Sequence, residues 1–235
     1  MSALSYIAEN LTQVCREIAA AERSACREGR TQMLAAVKYG SDEELRALLQ
    51  AGVTRVGENR VQQLLDHWPL FAEAGTEVHF IGSLQTNKVK YIIDKVKMIH
   101  SVDSLRLADE IHRRASAKGL VMDVLVEING AREEAKSGVL PEDARALCAA
   151  ITAMSGLRLR GFMTMGPRFD GAEGYRNYFA SVKEIGDGIW QELGLQEAPV
   201  YSMGMSESVV PAILAGADVV RVGRRLFQNE SKIQS

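Results

Sequence analysis

A lysine, two glycine-punctuated turns and an arginine are the residues of this chain best suited to chemistry. Lys38 ends the apolar run Met33-Leu34-Ala35-Ala36-Val37. A continuous apolar run bounded by turn signals predicts a strand covered on both faces. Lys38 is thereby delivered to the rim of a sheet, where ligands of α/β proteins collect. A lysine partly withdrawn from water has its charged form disfavoured, and a neutral amine attacks a carbonyl carbon to form a Schiff base. The plainer alternative is a lysine that leaves the strand for solvent, since buried lysines are rare. The second constellation is Ser202-Met203-Gly204-Met205-Ser206-Glu207, where small and hydroxyl residues lead into a helix expected over 206–214. Backbone N–H groups and the positive dipole end of a helix suit a phosphate. Arg221-Val222-Gly223-Arg224 repeats the pattern, with glycine at the end of a further strand.

The elements that must position these groups follow from periodicity. Residues 3–28 predict a long helix with an apolar stripe of Leu4, Ile7, Leu11, Val14 and Ile18. Eight strands are then expected, at 33–38, 54–56, 78–81, 98–100, 120–128, 157–163, 199–202 and 218–222, each followed by helix. Ser41-Asp42-Glu43-Glu44 is a capping box opening the first of these helices, and Pro141 begins another. Strict alternation means parallel strands with crossover helices. Eight units in 235 residues predict an α/β protein, a single (β/α)8 TIM barrel with an extra N-terminal helix over 1–30 packed on it. An open doubly wound sheet is the alternative, weakened because no Gly-rich dinucleotide fingerprint follows the first strand. In a barrel the turns after strands seven and eight are a frequent phosphate site, although each glycine alone reads as a plain turn residue. Such a site facing a carbonyl-reactive lysine points to pyridoxal 5'-phosphate (PLP). Arg221 then lies on the strand beside Lys38 and is expected to face the pyridine nitrogen. A cation there leaves the nitrogen unprotonated and the ring a weaker electron sink; a rim salt bridge is the alternative.

Composition narrows the class further. The formal net charge of −2 gives no basic field for nucleic acid, and the Lys88, Lys90, Lys95, Lys97 cluster reads as a solvated helix face. Three cysteines at wide spacing fit reduced thiols in the cytoplasm, without metal spacing. Charges early in the N-terminal helix argue against a signal peptide, and no apolar run has the length of a membrane span.

The chain resembles the pyridoxal phosphate homeostasis protein family. The resemblance runs from Leu34 to Phe227 and is carried by Ala36-Val37-Lys38, Val56-Gly57-Glu58-Asn59, His79 to Lys88, Ser101-Val102-Asp103-Ser104 and Ile128-Asn129. Lys136-Ser137-Gly138, Gly161 to Met165, Ser202 to Ser206 and Val220-Arg221-Val222-Gly223 complete it. Arg60, Tyr39 and Gln228 depart from the commoner family residues. The resemblance implies a barrel similar to the N-terminal domain of alanine racemase, with PLP on Lys38. It also implies phosphate contacts from Ser202, Met203, Gly204, Ser206, Gly223 and Arg224, with Arg221 at the pyridine nitrogen and Asn59 and Met163 lining the pocket. Such proteins carry PLP or regulate vitamin B6 pools without an established reaction, and are often monomeric. PLP-dependent apoenzymes are the partners this implies. An amino-acid racemase of the alanine racemase type is the alternative. It needs a second base opposite Lys38, for which Tyr39 and Tyr201 are the candidates, since the chain stops eight residues after Phe227 and leaves no room for an added β domain. An aldolase-type barrel is a third reading and needs an acid–base pair, for which only Glu58 and His79 offer themselves.

Overall fold

The computed structural model describes residues 4–133 and 135–229. Eight parallel strands close into a barrel in chain order: β1 (Gln32–Ala36), β2 (Arg55–Glu58), β3 (Glu77–Phe80), β4 (Met98–Val102), β5 (Met122–Glu127), β6 (Leu157–Met163), β7 (Val200–Met205) and β8 (Val219–Val222). Closure pairs β8 with β1 in the register Leu34 to Arg221 and Ala35 to Val222, so Arg221 stands beside the strand that leads to Lys38. The crossovers are α2 (Asp42–Gln50), α3 (Val61–Glu73), α4 (Val89–Ile92), α5 (Leu105–Ala117), α6 (Pro141–Thr152), α7 (Ala172–Glu192) and α8 (Val209–Leu214); α9 (Arg224–Phe227) follows β8. The expected capping box at Ser41 and Glu44 is formed in full.

Alternation of side chains across each strand divides the apolar residues into two clusters. Ala35, Val37, Val56, Val78, Phe80, Ile99, Val124, Val126, Phe162, Val220 and Val222 join one layer beneath the helices. Leu34, Ala36, Ile81 and Val219 form a separate small cluster on the inner face of β1, β3 and β8. Polar side chains share the interior, with His79, His100, Ser202 and Arg221 all buried. Gly57 leaves room for this small cluster, since a Cβ there would meet the Ile81 side chain at 2.8 Å and that of Leu34 at 3.0 Å.

The N-terminal helix α1 (Ser5–Ser24) buries Ile7, Leu11, Val14 and Ile18, and Asn10 Nδ2 donates to the Gln228 carbonyl at 2.8 Å. It ends four residues earlier than its stripe suggests, and its expected first residue, 3, lies outside the described residues. The reason for the early stop is Glu22. Its buried carboxylate accepts from Thr31 N–H at 2.6 Å and Gly29 N–H at 3.2 Å, while Cys26 takes up a left-handed φ of 51°, turning the chain back toward β1. Burial alone raises the Glu22 pKa, but the backbone donors of Thr31, Gly29 and Arg30 outweigh it and hold the carboxyl below its ordinary value. The stability this contributes is full above about pH 4.3 and is lost as pH falls through the depressed folded value. Glu22→Gln is therefore expected to cost about 1–2 kcal/mol at neutral pH, with the difference fading in acid; urea melts at both pH values check it.

Two further boundaries shift for stated reasons. Leu120 and Val121 are exposed and precede β5, because Leu120 N–H bonds to Ala115 O and finishes α5. The helix expected from Ser206 begins only at Val209. Strand β7 continues to Met205, and Ser208 turns back on it, its N–H donating to Met205 O at 2.7 Å.

Candidate functional site

A cavity opens at the C-terminal ends of β1, β2, β7 and β8. Lys38, Asn59, Ser206, Arg221, Gly223 and Arg224 all line it, brought together from these four strand ends. Lys38 follows β1 by two residues and is exposed, its Nζ 4.8 Å from the Tyr39 ring centre. The expectation of a lysine partly withdrawn from water is corrected accordingly: β1 stops at Ala36 and the chain carries Lys38 out to the cavity rim. The turns after β7 and β8 are tied to each other, as Gly223 N–H donates to Ser206 Oγ at 3.3 Å and Arg225 Nη1 donates to Ser206 O at 3.2 Å. Glu207 is the acidic residue of the lining, 3.8 Å from Arg224 and 4.0 Å from Arg168.

Four of the expected contact residues stand behind this surface. Ser202 is fully buried and hydrogen-bonds His100 and Arg221. Met203 packs in the layer under the helices. Gly204 has φ +89° and lies against α8, where a Cβ would come within 2.4 Å of Ala212 Cβ. Met163 is 1% exposed and does not reach the cavity. The strand extension to Met205 is the cause for the first three: it keeps residues 202–204 inside the sheet and passes the rim to Ser206.

Arg221 is the buried cation of the site. Its Nη1 donates to Ser202 O and Oγ, both at 2.7 Å, and its Nη2 to Thr164 O at 2.9 Å. Desolvation lowers its pKa to about 10, against the pull of Glu127, so the guanidinium stays charged at neutral pH. Among the described residues it forms no rim salt bridge. Burial also pushes His100 far below its ordinary value, helped by His79 and Arg221, so His100 is neutral. The pair needed for an aldolase does not assemble: Glu58 faces α3, 2.6 Å from His67 Nδ1, and His79 bonds Glu77 and His100. Burial pushes the Glu58 carboxyl up despite His67. Tyr201 bonds Asp187 and Lys183 on α7 rather than facing the cavity. Among the described residues no His, Cys, Asp and Glu group is placed to hold a metal, and no helix is long and apolar enough to cross a membrane.

The cavity also holds residues that sequence reasoning passed over: Ile81, Arg168, Tyr175 and Ser208. Ile81 had a signal, since it shares the strand face of His79. Arg168 and Tyr175 had none, because they arrive on the long turn between β6 and α7 and on the first turn of α7.

The family described as "Alanine racemase, N-terminal domain" matches residues 10–230. A pyridoxal phosphate homeostasis protein of Aquifex aeolicus is 40% identical over 224 residues, 95% of this chain and 95% of that one. The chain belongs to the pyridoxal phosphate homeostasis protein family. The family's Escherichia coli member is 32% identical, covering 95% of this chain and 97% of its own. Among solved structures, PipY of Synechococcus elongatus with PLP bound superposes with a TM-score of 0.82 at 27% identity, covering 94% of this chain and 100% of that one. An alanine racemase of Clostridium difficile shares the fold with a TM-score of 0.74 at 17% identity, covering 94% of this chain and 57% of the racemase.

Proposed function

We propose that this protein binds PLP and serves intracellular PLP (vitamin B6) homeostasis, holding the cofactor covalently on Lys38. The observation that carries the reading is the convergence of Lys38, Arg221, Arg224 and Ser206 on one cavity. The residues present fit the group. Four cations, Lys38, Arg168, Arg221 and Arg224, share the lining with one carboxylate, and among the described residues the buried Asn59 Oδ1 finds no hydrogen-bond partner. At Gly223 the backbone passes so near the β1 end that a Cβ would lie 3.1 Å from Ala36 O and 3.3 Å from the Tyr39 ring. When bound, PLP supplies an aldehyde that condenses with a primary amine and a ring that withdraws electrons.

The chain's own residues divide the work. Lys38 supplies the amine from an exposed position, which suits exchange of the cofactor with a recipient apoenzyme better than sheltered carbanion chemistry. Ser206 Oγ accepts from Gly223 N–H, leaving its own proton for a phosphate oxygen, and Arg224 adds charge. Arg221, whose Nη1 and Nη2 donate to Ser202 and Thr164, presents a fixed positive charge to the ring side. We assign a carrier or regulator role rather than racemisation; the bonding of the Tyr201 hydroxyl to Lys183 and Asp187 of α7 supports this by removing one of two candidate second bases. A monomer built as one unit over 1–235 is supported by α1, whose apolar stripe is spent on the barrel. Free Cys15, Cys26 and Cys148 support a cytoplasmic setting.

Borohydride reduction of the PLP-loaded protein followed by peptide mass spectrometry is expected to find pyridoxyl on Lys38. Label absent, or spread over surface lysines in proportion to exposure, overturns the reading.

A further inference from the structure

A single file of hydrogen bonds crosses the barrel interior. Glu77 Oε1 lies 2.8 Å from His79 Nε2, and His79 Nδ1 lies 2.8 Å from His100 Nε2. His100 Nδ1 is 3.0 Å from Ser202 Oγ, which is 2.7 Å from Arg221 Nη1. The file starts at the entry of β3, at the opposite end of the barrel from the cavity, and finishes on the cavity's buried cation. His79, His100, Ser202 and Arg221 are all at least nine-tenths buried, whereas Glu77 is partly exposed.

The two ends determine its direction. Arginine only donates and an ionised carboxylate only accepts. Glu77 is ionised at neutral pH, since the His79 hydrogen bond holds its pKa down despite burial. His79 Nε2 must therefore carry a proton, and a neutral His79 accepts at Nδ1. His100 Nε2 then donates to it, and His100 Nδ1 accepts from the Ser202 hydroxyl. Ser202 Oγ in turn accepts from Arg221. With both imidazoles neutral, each link has one consistent assignment; a His79 imidazolium would donate at both nitrogens and reverse His100. Reversing a neutral His79 sets a bare nitrogen against the Glu77 carboxylate, and reversing a neutral His100 sets two bare nitrogens against each other and takes away the acceptor of the Ser202 hydroxyl.

We propose that Glu77, His79, His100 and Ser202 are positioning residues for Arg221, a one-way file that fixes both imidazoles as Nε2–H tautomers and pins the guanidinium at the cavity floor. Ser202 thus acts through Arg221, not by touching a ligand. The effect on bound PLP rests on the function proposed above; the tautomers do not.

Two measurements test the file. Long-range proton–nitrogen correlation spectra of histidine-labelled protein, without PLP, are expected to show His79 and His100 each protonated at Nε2 and bare at Nδ1. An Nδ1–H form or an imidazolium at either residue at neutral pH overturns the proposal. In PLP titrations, Ser202→Ala is expected to move the visible maximum of the bound cofactor and weaken binding about tenfold, as when a buried donor loses its acceptor, with Ser202→Thr restoring both. A spectrum and affinity unchanged in Ser202→Ala, with only the melting temperature lowered, mark a merely structural hydroxyl and overturn it. Should Ser202→Ala fail to fold, the tautomers alone decide. Wild-type protein that never takes up PLP sinks the functional reading and leaves the tautomer result to judge the file.

Discussion

Lys38→Ala is expected to lose the borohydride-trapped label completely and to weaken PLP retention by at least about a hundredfold, with stability unchanged within about 0.5 kcal/mol. The separation of the two effects is the informative part. Lys38 is exposed, with its Nζ 4.8 Å from the Tyr39 ring centre; an exposed cation–π pair is worth only about 0.5–1 kcal/mol. Removing the side chain thus leaves the barrel intact and takes away the amine. Arg221, Arg224 and Ser206 remain, so a weak, rapidly reversible, phosphate-directed binding should survive. Equilibrium dialysis with PLP, read beside a thermal melt, separates this outcome from general unfolding. Retention equal to wild type would mean that Lys38 is not the anchor, whatever else the cavity holds.

Gly82→Ala is expected to do the reverse, damaging the fold and the site together. Gly82 follows β3, and a Cβ there would lie 2.1 Å from Asn59 O and 2.8 Å from both Asn59 C and Cα. These are backbone atoms, with no flexible side-chain end to yield. The neighbouring link, Ile81 N–H to Glu58 O at 2.8 Å, joins the same two strand ends. Relief requires β2 and β3 to part at the rim where Asn59 enters the cavity. A loss of about 3 kcal/mol or more follows, or roughly 6–12 °C in melting temperature for a chain of this size, with weaker PLP binding in whatever remains folded. Gly188→Ala provides the contrast. It lies in the exposed interior of α7 with nothing within 4 Å of a Cβ, so about 0.5–1 kcal/mol of stabilisation is expected.

Much of the architecture was legible because it rests on local patterns. The apolar run before Lys38, the alternation of strand and helix, and the glycines after β7 and β8 depend on residue type and spacing over a few positions. They led to an eight-stranded barrel with Lys38, Ser206, Arg221, Gly223 and Arg224 at one end. Errors began where a backbone hydrogen bond between distant segments decided the outcome. The Glu22 carboxylate shortened α1, and the Ser208 turn prolonged β7 and drew Ser202, Met203 and Gly204 behind the cavity wall.

The sequence by itself determined the order of strands, the family and the presence of a lysine and two glycine-bearing turns at one end of the barrel, because these are written in periodicity and motif. Only the tertiary structure decided which side of each strand end meets the cavity and which polar groups meet one another across it. His79 and His100 stand 21 residues apart in the chain, and His100 and Ser202 stand 102 apart. Nothing in either neighbourhood names the other. Closing β8 onto β1 makes the barrel interior a single enclosed space, and within it buried polar groups must find partners across the ring or remain unpaired at high cost.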